Sequence, residues 1–324
     1  MPHSPPALYC PPVPGAPRGD WVTCRTRISL GRSGRWTTCP IGKASIGCKR
    51  SMCGTGSRNI MRLKNKIALV TGSSGGIGVG IAKAMAADGA DVVVTYCINE
   101  NGAKKTARAI TEMGRKALIV RADVGVLNDV QRLFDEIKET FGRLDVLVNN
   151  AGITPKKAWD EMEEEDWDRV LTINLKSVFL CCRAGAPIIP AGGAILNISS
   201  IHAHLTTYNF SAYAASKGGM EALTRSLAVE LAGKGIRVNA LRVGWIVVER
   251  EPFGPNDPSY EAVCARIPVG RVGQVEDVGP TAVHLCCDDS SFITGAVLAV
   301  DGGAEIMINS PFPKGFVEDG ARKE

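Results

Sequence analysis

The stretch "KIALVTGSSGGIG" (residues 66–78) decides how the rest of the chain is read. Its first six residues form a short β-rich apolar run. The segment that follows, "IGVGIAKAMAADG", has helical spacing. Between them lie Gly72, Gly76 and Gly78, which lack a Cβ and so let the backbone turn sharply and let a bulky anion approach it. The unpaired N–H groups at the start of the next helix, together with its dipole, favour negative charge at that point. Placed after a strand and opening a helix, this turn predicts a pyrophosphate cradle formed by Gly72, Ser74, Gly76, Ile77 and Gly78.

Working outward, strand-like and helix-like segments alternate. "DVVVTY" (91–96), "ALIV" (117–120), "DVLVNN" (145–150), "GAILNISS" (193–200), "IRVNAL" (236–241) and "AVLAV" (296–300) read as further strands. Helices are predicted at 101–113, 127–140, 164–185, 212–233 and 275–288. Strands that are apolar throughout and separated by helices indicate a parallel sheet covered on both faces. Seven of them in one series predict an α/β fold, a Rossmann-type doubly wound seven-stranded parallel sheet in a single domain over 61–304. Residues 305–324 follow as a tail. The proline-rich stretch 247–270 interrupts the rhythm, and it is the expected substrate lid.

The first sixty residues differ in kind. Of 324 residues in all, they hold nine Lys/Arg against the single acid Asp20, eight of the 18 prolines and five of the 11 cysteines. The formal charge of +5 therefore resides in this segment, and the rest of the chain is mildly acidic, which argues against a nucleic-acid partner. The segment shows no sustained period of 2 or 3.6. A disordered or non-native extension ahead of Met61, an organelle transit peptide, a zinc site on Cys24, Cys39, Cys48 and Cys53, and a nucleic-acid-binding arm all stay open. Cys97, Cys181, Cys182, Cys264, Cys286 and Cys287 lie in apolar stretches and read as reduced core residues, which suits a cytoplasmic protein. No apolar run reaches the length of a membrane span, so no membrane partner is expected.

"YAASK" (213–217) places a tyrosine four residues before a lysine, on one face of a helix. A phenol with a pKa near 10 is a poor base at neutral pH, and a nearby cation stabilises its anion. That is the pairing needed when a hydride moves at a carbon bearing oxygen and a proton must move at the oxygen. Tyr208 is the rival tyrosine, but the residue four positions on is Ala212, which carries no charge.

With the glycine turn, "NNAG" (149–152) and "YAASK" in that order, the chain resembles the classical short-chain dehydrogenase/reductase family over about residues 63–304. "DV" (123–124), "NISS" (197–200), "RVNAL" (237–241) and "SSFITG…VDGG" ending at Gly303 complete the set. The resemblance implies a secondary alcohol–ketone oxidoreductase with catalytic Asn174, Ser200, Tyr213 and Lys217, the lysine also gripping the nicotinamide ribose. It implies cofactor contacts at Asp123, Val124, Asn150, Ala151 and Gly152, with Gly244 and Ile246 on the nicotinamide side. It also implies a homotetramer or homodimer packed through the long helices. For Asn174, set in the apolar stripe Trp167, Val170 and Val178, a water-mediated relay through Lys217 stands beside a satisfied core amide. Ser199, by the period of two, points away from the face that Ser200 occupies. Two positions depart from the family pattern: Val243 stands for a proline and Val248 for a threonine.

The second strand ends in Tyr96-Cys97, with no carboxylate to bind a ribose 2′-OH. No arginine follows, and Gly75 sits where a basic residue could help, so NADP(H) is favoured over NAD(H) only slightly. A non-catalytic dinucleotide sensor is the alternative function, against which Ser200, Tyr213 and Lys217 stand together. Substrate contacts are expected at Ser200, His202, Tyr213 and Trp245. The lid's Glu249, Arg250, Glu251 and Asp257 suit a polar small-molecule alcohol or ketone. No cluster with metal-ligand spacing is apparent in the domain, and no metal is expected.

Overall fold

The computed structural model describes residues 61–249 and 253–307. The expectations for residues 1–60, for Arg250 and Glu251, and for most of the tail lie outside them. Seven strands, β1 (Ile67–Val70), β2 (Asp91–Tyr96), β3 (Ala117–Arg121), β4 (Val146–Asn149), β5 (Ala194–Ser200), β6 (Arg237–Val243) and β7 (Val297–Val300), form one sheet in the order β3-β2-β1-β4-β5-β6-β7. Every pairing is parallel, as the apolar, helix-separated strands predict.

Alternate residues of β1 feed opposite cores, because strand side chains alternate faces. Ala68 and Val70 join one cluster with α1 (Gly76–Ala87), α2 (Glu100–Glu112) and α8 (Val275–Cys286). Ile67 and Leu69 join the other with α3 (Leu127–Phe141), α5 (Ser177–Gly185) and α6 (Ser211–Ala232). On the first face α1 and α8 meet through glycines. A Cβ on Gly80 would stand 2.5 Å from the Val275 carbonyl oxygen, and one on Gly279 would stand 2.6 Å from Ala84 Cβ. The two helices could not close to this distance with larger residues.

Two readings are corrected here. The helix expected over 164–185 is α4 (Glu164–Leu171), a π turn (Thr172–Lys176) and α5. Trp167 does not join the buried stripe: it is 38% exposed, while Val170, Asn174 and Val178 are buried. Among the cysteines, Cys97 is exposed and Cys264 half-buried, whereas Cys181, Cys182, Cys286 and Cys287 are buried free thiols. Burial pushes the Cys182 and Cys286 thiols up to about 12. Within 247–270 lies a short helix, α7 (Tyr260–Cys264), that was not expected.

The strand order reverses between β1, which continues to β2, and β4. Ligands of open α/β sheets bind at the carboxyl ends of the strands at such a point. The glycine turn, Asn149–Gly152 and Ser200 all lie at that edge.

Candidate active site

A cleft of about 830 Å³ runs along this edge. It is lined by Gly72, Ser74, Gly76, Ile77, Tyr96, Asp123, Val124, Asn150, Ala151 and Gly152, and at its other end by Ser200, Tyr213, Lys217 and Gly244.

At the turn, Gly72 and Gly76 adopt positive φ of 64° and 56°, a conformation that L side chains rarely take. Gly78 does not line the cleft. A Cβ there would stand 2.6 Å from Asn150 Nδ2 and 2.7 Å from the Gly72 carbonyl oxygen, so this glycine lets the turn fold onto β4. Hydrogen bonds that the sequence reading did not anticipate hold the turn. Asn150 Nδ2 donates to the Thr71 carbonyl at 2.9 Å, and Thr71 Oγ1 accepts from the backbone N–H groups of Asn150 and Ala151. Ser73 Oγ donates to the Val70 carbonyl at 2.7 Å and accepts from Thr95 N.

Helix α1 follows Gly75 at its N-cap, with no side-chain cap and no acid in its first turn, whereas α4 and α8 each carry a capping box and acids there. Its N–H groups are thus left for an anion. Glycines that leave room, an uncapped helix and a cleft of this size together fit a dinucleotide.

At the adenosine end, β2 stops at Tyr96 with no carboxylate. An arginine is present after all. Arg121 lies beside Tyr96 in the register of β2 and β3, and its Nε donates to the Cys97 carbonyl at 3.3 Å. It is 24 residues away in sequence, and sheet pairing brings it there. The Asp123 carboxylate accepts from Gly125 N at 2.9 Å, which shapes the turn after β3.

Deeper in, Lys217 is 4% exposed, and its Nζ donates to the Ile198 carbonyl at 2.7 Å. Nζ lies 5.7 Å from the Tyr213 ring centroid. Burial lowers the ammonium pKa to about 8, so it stays mostly charged at neutral pH. Ser200 Oγ, at the end of β5, accepts from His202 N at 3.3 Å, while Ser199 Oγ donates to Glu221 Oε1 at 2.8 Å. The rival Tyr208 is 91% exposed.

Asn174 is fully buried and does not line the cleft. Its Oδ1 accepts from Ile153 N at 2.8 Å, and its Nδ2 donates to the Ile153 carbonyl at 2.9 Å and to Ser216 Oγ at 3.2 Å. It clamps the backbone just after Gly152.

His202, Trp245 and Ile246 also lie off the cleft wall. The His202 ring stacks on Phe210 at 4.4 Å and meets Tyr213 edge-on at 5.6 Å. Trp245 stacks on Phe253 at 5.2 Å. Ile246 bridges to Gly273 and its side chain packs on the core, while Gly244 and Val248 line the cleft on either side of it. Val248 packs on the glycine turn, its Cγ1 standing 3.4 Å from where a Cβ on Gly76 would lie. Val243 extends β6 opposite Ser200 and Val300. Away from the cleft, His284, Cys287 and Asp289 bring one possible ligand atom each within 4.8 Å of one another, a cluster that the sequence reading passed over.

A dinucleotide cleft with a tyrosine, a serine and a buried lysine at one end defines a hydride-transferring oxidoreductase. Comparison with known proteins agrees. A family profile described as enoyl-(acyl carrier protein) reductase matches residues 72–305. A 3beta-hydroxysteroid dehydrogenase 1 of Eggerthella lenta is 41% identical over 259 residues, covering 78% of this chain and 98% of that protein. Glucose 1-dehydrogenase 2 of Bacillus subtilis is 39% identical, covering 74% and 95%. The crystal structure of a Burkholderia cenocepacia short chain dehydrogenase in complex with NADP superposes with a TM-score of 0.71 at 35% identity, covering 75% of this chain and 99% of that one. The chain belongs to the short-chain dehydrogenase/reductase family. It is an NAD(P)-dependent oxidoreductase acting on CH–OH or C=O groups.

Proposed function

We propose that Tyr213 is the general acid/base of this enzyme, Ser200 the donor that holds the substrate oxygen, and Lys217 the cation that readies the phenol. The observation carrying this reading is the placement of Lys217. Its ammonium is buried beside the Tyr213 ring, and no carboxylate lies within ion-pair distance of it among the described residues. An uncompensated buried cation favours the anionic form of a neighbouring acid, here a phenol. In ketone reduction Tyr213 gives its proton to the carbonyl oxygen; in alcohol oxidation it takes one. A bound nicotinamide supplies the hydride chemistry. Gly72, Ser74, Gly76 and Ile77 would hold its pyrophosphate, and Asn150, Ala151 and Gly152 would line the adjoining wall.

Asn174 acts as a positioning residue, gripping Ile153. Its Oδ1 and Lys217 Nζ lie 3.2 and 3.8 Å from the point that a Cβ on Gly152 would occupy, and the room left there is where we place a proton relay. NADP(H) is the preferred cofactor, with Arg121 offering its guanidinium to the 2′-phosphate. The substrate is a polar small molecule, and 247–270 is its lid. The chain assembles as a homodimer or homotetramer through α5 and α6, whose Phe179 and Val229 are exposed, and it works in the cytoplasm without nucleic-acid or membrane partners.

The test is Tyr213→Phe. Turnover with NADPH is expected to fall by about a thousandfold or more while cofactor affinity is kept. A variant that keeps most of its rate would remove the phenol from the mechanism.

A further inference from the structure

The aromatic wall beside Tyr213 ends in a cation. His202 and Phe210 stack on one another and both present themselves edge-on to Tyr213, at 5.6 and 6.1 Å between ring centroids. Lys156 Nζ lies over the Phe210 ring, 5.7 Å from its centroid. Lys156 belongs to the segment after β4 whose Ile153 and Thr154 line the cleft. The backbone N–H of Lys157 donates to the Asn209 carbonyl at 3.1 Å, which draws this segment against the one that leads into α6.

The two neighbouring lysines differ. Lys157 pairs with Asp166, whereas Lys156 has no carboxylate within ion-pair distance among the described residues. Its charge is felt at His202, where burial first and Lys156 second hold the imidazole below its ordinary pKa. The acids that line the cleft belong to the dinucleotide side. Glu249 follows Val248, which packs on Gly76; Asp168 lies one turn before Thr172, which packs at Gly125 beside Asp123.

We propose that Lys156 is an anion anchor and that the substrate is a hydroxy or keto acid. Its reacting carbon sits at Tyr213 and Ser200, its apolar skeleton leaves the cleft past Tyr213 to lie along the half-buried His202 and Phe210 rings beside it, and its carboxylate meets the exposed Lys156 ammonium. The wall is apolar enough to bind a carbon skeleton, and an ammonium without a carboxylate partner at its far end selects for negative charge. This rests on the assignment of Tyr213 as acid/base.

The test compares 4-acetylbenzoate, whose ketone and carboxylate stand at opposite ends of one aromatic ring, with its methyl ester, using the full chain and NADPH. The unmodified enzyme is expected to favour the acid over the ester by about tenfold or more in kcat/KM. Lys156→Met should raise KM for the acid by about tenfold with kcat within about twofold, and leave the ester unchanged; Lys156→Arg should restore the acid. Equal rates on acid and ester, turnover of neither, or an equal loss on both in Lys156→Met overturns the anchor. The acid/base reading fails separately, if Tyr213→Phe still reduces the ester.

Discussion

Removing the charge of Arg242 gives the sharpest test of how the site is supported. This guanidinium on β6 is a bidentate partner of Glu221, with Nε to Oε1 at 2.9 Å and Nη2 to Oε2 at 2.7 Å, and its Nη1 reaches Glu305 at 3.1 Å. The side chains are 17%, 7% and 12% exposed, so water screens little of the interaction. The bonds to Glu221, ahead of those to Glu305, push the Arg242 pKa above its ordinary value. Glu221 also holds Ser199, the residue before Ser200. Arg242→Met leaves the buried Glu221 carboxylate and the half-buried Glu305 carboxylate without a cation, and breaking a buried pair this way costs about 3–5 kcal/mol. In a domain of this size each kcal/mol lowers Tm by about 2–4 °C, so a drop of about 6–20 °C accompanies that loss. Urea unfolding followed by tryptophan fluorescence measures it. Adding Glu221→Gln and Glu305→Gln to the same chain removes the orphaned charges and should recover about half of the loss. If Arg242→Met unfolds within about 1 kcal/mol of the parent, or if the triple variant is less stable than the single one, the ion network does not support the site as argued.

Three further outcomes follow from the geometry. Gly78→Ala drives a methyl group to 2.6 Å from Asn150 Nδ2 and 2.7 Å from the Gly72 carbonyl, so NADPH affinity by fluorescence titration should weaken about tenfold or more. Unchanged affinity would mean the turn has slack to spare. Arg121→Ala should weaken NADPH by about tenfold and leave NADH untouched; an equal effect on both would deny it the 2′-phosphate. Burial lowers the folded-state pKa of Lys217 to about 8 from 10.5, so between those values the unfolded chain binds more protons and stability rises with pH. The parent should therefore gain about 2–3 kcal/mol on Lys217→Met between about pH 7.5 and pH 10.5 in urea titrations. A constant difference would show that the ammonium is not desolvated.

Features set by short spacing were legible from the residues. Tyr213 and Lys217 share a face because a helix returns every 3.6 residues, and Ser199 and Ser200 diverge because a strand alternates. The seven parallel strands were legible for a similar reason, since apolar runs punctuated by helices allow little else. The π turn at Thr172–Lys176 was not, because one extra residue per turn leaves the apolar pattern nearly intact. Within it Asn174 is buried as a clamp, while Trp167, a turn and a half earlier, stands in solvent.

The sequence by itself determined the doubly wound sheet, the glycine turn and the phenol–ammonium pair, because local periodicity and backbone sterics dictate each of them. Only the tertiary structure decided that Arg121 stands beside Cys97, that Asn174 grips Ile153, and that Arg242 gathers Glu221 and Glu305. These partners are 21 to 63 residues apart in the chain. Their meeting depends on strand register and helix packing, which no local pattern specifies.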